Sequence, residues 1–218
     1  MQFLLPLLPK LIEWLKSLFR AKNGNIRILD KARTSLDLPP TETDLGIARV
    51  YQRELKAPAM PWACAFTSLV MGLGYKVGTL LDLNISFNKC AASGAIRESD
   101  ARINDYDKAA ATLGFPAMRY KSQKLDLAKL RELLFAKTPV IVFLYDLTTG
   151  KLAHVELCSK LVAYQKTPGA PVESLFGLLD PGWAEHTHFG ADGIPFHMTP
   201  EGKRVTNNRQ IRWMGWYA

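Results

Sequence analysis

Cysteine is scarce in this chain. Three cysteines in 218 residues, Cys64, Cys90 and Cys158, cannot build a disulfide framework, and the odd count fits synthesis in a reducing compartment. Long apolar runs are missing too. The one strongly apolar stretch near the N-terminus is too short and too charged to span a bilayer. It also lacks an early positive charge and a small-residue cleavage site, which argues against a signal peptide. No basic run is interleaved with aromatics, so a nucleic-acid module is not expected. Internal repeats and low-complexity tracts are absent, which excludes solenoids and arrays.

What is present describes one globular domain with an appendage. Hydrophobic residues make up 48% of the chain and charged residues 22%, ordinary values for a packed domain. The net charge is +8, from 28 basic and 20 acidic residues, and favours an anionic partner. Residues 3–20 read as an amphipathic helix, with Leu4, Leu8, Leu11, Leu15 and Leu18 on its apolar face. Its regular part is expected to start near Pro9 and to pack onto the domain, with binding to a membrane surface as the alternative. Residues 21–50 read as a polar connector, so the division is 1–48 for helix and connector and 49–218 for the main domain.

Within that domain, Cys64 follows Pro61-Trp62-Ala63 and opens an apolar run to Leu73, closed by Gly72 and Gly74. This pattern predicts a buried helix with the thiol in its first turn, where the helix dipole lowers the thiol's pKa. Helices are also expected near Tyr106–Leu113, after Ser99 and Asp100, and near Leu127–Ala136, capped by Asp126. Strands are expected at Pro139–Tyr145, from Leu152 and His154 to Val162, at Leu175–Leu179 and at Arg209–Tyr217. The layout is α+β with a mostly antiparallel sheet. A cysteine at a helix start, a histidine at a strand start and Asp180 at a strand end match a thiol nucleophile, its base and the base's orienting acid. Gln52 is the candidate donor to the oxyanion. Glu156 is the alternative orienting acid, although an i,i+2 neighbour sits beside the imidazole and not behind it.

These residues carry a resemblance. The chain resembles papain-like cysteine peptidases of the bacteriocin-leader-processing superfamily, in a branch of bacterial and phage cell-wall hydrolases. The shared elements are Tyr51-Gln52-Arg53, Pro58, Cys64-Ala65-Phe66-Thr67-Ser68-Leu69, Leu113-Gly114-Phe115, the Pro139-Val140-Ile141-Val142 strand and the histidine strand. The resemblance spans residues 50–182 and departs at Ala65 and Ala153, positions that bear on substrate subsites. It implies a papain-like fold and a cysteine hydrolase of amide bonds, with Cys64, His154, Asp180 and Gln52 as its catalytic residues. Peptidoglycan is the expected substrate, bound as an anionic wall polymer by a monomeric protein acting on the wall after release or injection. A protein-processing protease and a non-catalytic binding module are the alternatives.

No cofactor or metal is expected. His186 and His188, with Asp180, Glu185 and His197 nearby, have spacing that suits zinc, but their Gly- and Pro-rich setting reads as a surface loop lining a groove. Cys90 and Cys158 are expected to pack, with Cys158 on the strand face of His154 and Glu156. Trp62 either packs the helix entry or lines the groove. Asn84 and Asn88 read as loop residues.

Overall fold

A computed structural model describes residues 43–165, 172–182, 186–199 and 204–218. The expected N-terminal helix, most of the connector and Glu185 lie outside the described residues. Four α-helices are described: α1 (Cys64–Lys76), α2 (Leu83–Ala92), α3 (Tyr106–Thr112) and α4 (Leu127–Phe135). The nine described strands are β1 (Thr43–Asp44), β2 (Tyr120–Lys124), β3 (Val140–Asp146), β4 (Leu152–Gln165), β5 (Val172–Leu179), β6 (His186–Phe189), β7 (Phe196–Met198), β8 (Arg204–Thr206) and β9 (Arg209–Tyr217). The fold is α+β. No helix among the described residues is long and apolar enough to cross a membrane.

All strands join one sheet in the order β2-β9-β3-β4-β5-β6-β7-β8, and every pairing is antiparallel. β4 runs past the end of β3, and β1 pairs with the overhang at Lys160 and Leu161. The end of the connector is thus hydrogen-bonded into the sheet. The β3–β4 turn is built by Asp146, whose Oδ1 accepts from the N–H groups of Thr148 and Thr149, with Gly150 at a φ of +67°. This turn and the register place His154 opposite Leu144 and Glu156 opposite Val142.

Side-chain alternation divides the core between the two sheet faces. Ile141, Val155, Leu157 and Leu179 pack with Phe66, Leu69, Val70 and Leu73 of α1. Val140, Val142, Leu144, Cys158 and Leu178 pack with Leu130 and Leu134 of α4 and with Met214 and Ile211 of β9. Cys90 and Cys158 are both fully buried, as expected.

Several expectations need correction. α1 does not stop at Gly72 or Gly74 but continues to Lys76. Its terminator is Gly78, at a φ of +69°, with Thr79 N–H returning to the Gly74 carbonyl at 3.0 Å. Gly74 serves packing: a Cβ there would meet the Thr79 carbonyl oxygen at 2.7 Å. Asn84 and Asn88 lie in α2, not in a loop, because Asp82 caps that helix by accepting from Ile85 N–H at 2.8 Å. The cap of α3 is Asp105, which accepts from Lys108 N–H. Asp126 caps α4 as expected. His186 and His188 lie on strand β6, paired to β5, and not in a surface loop, because Gly177–Leu179 of β5 offers them a ladder.

The glycine contacts separate two neighbouring substitutions. Gly74→Ala should lower stability by roughly 1–3 kcal/mol, since the added methyl meets backbone that cannot turn away. At Gly72 the nearest atom to an added Cβ is Leu157 Cδ1 at 3.4 Å, so Gly72→Ala should be neutral or stabilising through its helix propensity. Urea denaturation midpoints of the two variants check the contrast.

Candidate active site

The site assembles where the start of α1 meets one rim of the sheet. Cys64 is the first residue of α1, preceded by a 3₁₀ turn, Met60–Trp62, with Pro61 in it. Ala63 precedes it with no side-chain cap, so the first N–H groups of α1 stay free of a capping oxygen. The sulfur is half-exposed, and Cys64 packs at the edge of the core beside Tyr106. Trp62 is 68% exposed, so it does not pack the helix entry.

His154 stands at the start of β4 and Asp180 one residue past the end of β5. Leu157 pairs with Leu179, so one further step brings Asp180 level with Glu156. His154 Nε2 is hydrogen-bonded to Asp180 Oδ1 at 2.8 Å, and the Gly182 N–H donates to the same oxygen at 2.6 Å. The Cys64 side chain also favours the protonated ring, and with Nε2 bonded to Asp180 the ring nitrogen left for the sulfur is Nδ1. The thiol itself lies 4.0 Å from the Trp62 carbonyl oxygen. The structure thus brings Cys64, His154 and Asp180 together, with the bond between imidazole and carboxylate formed.

Burial works against a charged His154, but the hydrogen bonds to Asp180 and Cys64, reinforced by their charges, outweigh it and push the imidazole up to about 10. Asp180 is 5% exposed, and its Oδ1 takes both donors. The acid bonded to the imidazole is Asp180 and not Glu156, whose Oε2 instead accepts from the Thr187 hydroxyl at 2.8 Å.

Gln52 joins through its backbone and its side chain. Its N–H donates to the Pro181 carbonyl at 2.9 Å, tying the short 3₁₀ turn Gln52–Glu54 to the corner that follows Asp180. Its Nε2 reaches the Pro61 carbonyl at 3.5 Å, a long bond that is readily exchanged for a better acceptor. A Cβ on Gly182 would lie 3.2 Å from Asp180 Oδ1, 3.8 Å from His154 Cε1 and 3.9 Å from Gln52 Cδ. Gly182 therefore sits where three site residues converge, and only a missing side chain permits that approach. Asn84, assigned no role from sequence, braces the same turn: it accepts from Lys56 N–H at 2.7 Å and donates to the Glu54 carbonyl at 3.0 Å.

Three contributors escaped sequence reasoning. Gly182 was passed over as a strand terminator, Thr187 carried no signal, and Asn84 was hidden by the missed helix α2. His154, Glu156 and Asp180 each offer a ligand atom within 4.8 Å of the others. However, Nε2 and Oδ1 already bond to each other, so the relay occupies the atoms a cation would need. Of the other histidines, His188 is half-buried with its ring centre 6.1 Å from that of Phe196, and His197 lies on β7. Asp180 and Thr187 also line a cavity of about 440 Å³, together with Asp146, His197 and Arg209.

No family model and no curated protein matches the chain. The site therefore rests on its own geometry.

The raised imidazole has a direct consequence. Its folded value exceeds the ordinary value of about 6.5, so the protonated form stabilises the fold fully below that pH, and the contribution is lost as pH rises through about 10. The His154 Cε1–H resonance, assigned by its disappearance in His154→Gln, should titrate with a midpoint several units above 6.5. The difference in melting temperature between wild type and that variant should shrink over the same range.

Proposed function

We propose that the chain is a papain-like cysteine hydrolase that cleaves amide bonds, most suitably those of peptidoglycan stem peptides. The observation that carries this reading is the Cys64 sulfur at the start of α1 against an imidazole held by Asp180. A nucleophile beside a base, and a base oriented by a buried acid, form the minimal apparatus for acyl transfer.

In the proposed cycle Cys64 gives its proton to His154 and its sulfur attacks the scissile carbonyl carbon. The carbonyl oxygen gains the electron pair, stabilised by the Cys64 backbone N–H and by the Gln52 carboxamide once that amide leaves Pro61. The intermediate collapses to a thioester as protonated His154 gives its proton to the departing amine. His154 then removes a proton from water, hydroxide attacks the thioester, and the thiol is regenerated with release of the acid.

The substrate assignment rests on the resemblance to cell-wall hydrolases and on the +8 charge, which suits an anionic polymer. A protein-processing protease is the rival within the same chemistry. A binding module that retains the fold without catalysis is the rival outside it. The relay favours the enzyme over the module, because burying Asp180 beside an imidazole is costly and a binding surface gains nothing from it.

Digestion of purified peptidoglycan, with mass spectrometry of the fragments, tests the reading. New amine termini should appear with wild type and vanish with Cys64→Ala. Casein cleaved while peptidoglycan stays intact would make the protein a protease, and no cleavage of either would leave the binding module. Digestion of whole peptidoglycan should also fall as salt rises through tenths molar, since screening shortens the reach of surface charge to about 8 Å at physiological ionic strength. A small neutral peptide with the same bond should respond little.

Thiol labelling supplies a check that needs no substrate. Burial raises the Cys90 thiol to about 11 and pushes Cys158 further up, whereas the Cys64 sulfur is half-exposed beside a base. Iodoacetamide should modify Cys64 first at neutral pH. Equal labelling of all three, or preference for Cys158, would count against the assignment.

A further inference from the structure

The relay leaves one buried acid without a task. Glu156 is 1% exposed, and its Oε1 has no hydrogen-bond partner among the described residues. A buried carboxylate with an unsatisfied oxygen is costly, and two carboxyl groups near each other resist ionising together. Asp180 has two donors, from His154 and Gly182, while Glu156 has only the Thr187 hydroxyl. Of the two acids, Glu156 is thus the poorer in donors and the one that holds a proton.

Each element around Glu156 contributes a defined group. On its own strand His154 stands two residues before it and buried Cys158 two residues after it. β5 leads into Asp180, β6 brings Thr187, β9 begins with Arg209, and β3 presents only apolar Val142. Burial and the Asp180 charge raise the Glu156 carboxyl, while the charges of His154 and Arg209 and the Thr187 hydrogen bond oppose the rise. Thr187 also lines the cavity, so the residue that bonds Glu156 borders that space.

We propose that Glu156 is a positioning residue for His154: a buried second acid that exchanges its proton with the cavity through Thr187 and, once ionised, holds the imidazolium beside Cys64. In the exchange the carboxyl proton passes to the Thr187 oxygen as that hydroxyl's own proton leaves to water. No bond to carbon changes and no co-reactant is needed. Ionised Glu156 adds a negative charge close to the ring and so favours its protonated form. The proposal rests on the hydrolase reading for its purpose, but its electrostatics stand without a substrate.

The test follows the His154 Cε1–H resonance across pH in wild type, Glu156→Gln and Thr187→Val. Glu156→Gln keeps the shape and an acceptor for Thr187 but removes the charge, and should lower the imidazole midpoint by about one unit or more, as expected for loss of an opposite charge at this range. Thr187→Val changes a half-exposed side chain, removes the donor that favours ionised Glu156, and should lower the midpoint by a smaller amount. It also serves where Glu156→Gln fails to fold. If catalysis is present, the alkaline limit of kcat/KM should move with the resonance. A midpoint unchanged or raised in folded Thr187→Val and Glu156→Gln overturns the proposal and leaves the hydrolase reading untouched. A lowered midpoint in a protein that cleaves nothing supports the proposal's electrostatics and sinks the hydrolase reading alone.

Discussion

The hydrogen bond from His154 to Asp180 joins two strands at the rim of the sheet, and most of the site's geometry follows from what makes it possible. It forms only because β4 and β5 pair so that the residue after Leu179 arrives level with Glu156. Pro181 cannot donate to a neighbouring strand and turns the chain away, which leaves the carboxylate at the rim. Gly182 then folds its N–H back onto the same oxygen, while the Pro181 carbonyl holds the Gln52 backbone. One three-residue corner thereby fixes His154, Asp180 and the Gln52 turn together. Asn84 of α2 braces the Gln52 turn from the other side.

Cys64 reaches that corner by a different constraint. α1 lies on the sheet face formed by Ile141, Val155 and Leu157, with Gly72 over Leu157 and Pro139. Ser68 of α1 donates to the Val155 carbonyl at 3.4 Å, next along β4 from the histidine. Helix and histidine strand are therefore packed within a turn of the reacting atoms. Displacing α1 by an ångström would move the sulfur while leaving the imidazole in place, a misplacement that proximity arguments rate as severe.

Much of this was legible in the sequence, for identifiable reasons. β3, β4, β5 and β9 announce themselves by β-branched and aromatic runs bounded by turn residues, and β9 runs from Arg209 to Tyr217 as its alternation predicts. Asp126 gave the start of α4 because an acid before an apolar-periodic run is a cap signal. Cys64, His154 and Asp180 could be chosen by type and position because each sits at an element's end. What failed were signals that need the third dimension. α2 mixes Asn84, Ser86 and Asn88 among its apolar residues, so its periodicity was faint until Asp82 was seen to cap it. Gly72 and Gly74 read as a stop, yet Gly74 is there for close approach, and the stop is Gly78. β6 looked like a loop because its four residues become a strand only when β5 offers a ladder. Thr187 could not be read at all, since nothing in its neighbours announces that it faces Glu156 across two strands.

The two halves of the site differ in how tightly they are determined. His154, Asp180, Glu156 and Gly182 are held by buried hydrogen bonds or by the absence of a side chain, so almost any substitution among them disturbs another member. Cys64 and Trp62 face outward, and Trp62, at 68% exposed, is hardly constrained by packing. A buried, mutually dependent half suits the part that handles protons, because its low dielectric makes each charge act strongly on the next. An exposed half suits the part that meets the substrate, because its residues can change without disturbing the relay. On the proposed hydrolase reading, the handling of protons and the choice of substrate would be separable in the fold: the corner at 180–182 would fix the first, and the surface around Trp62 would be free to set the second.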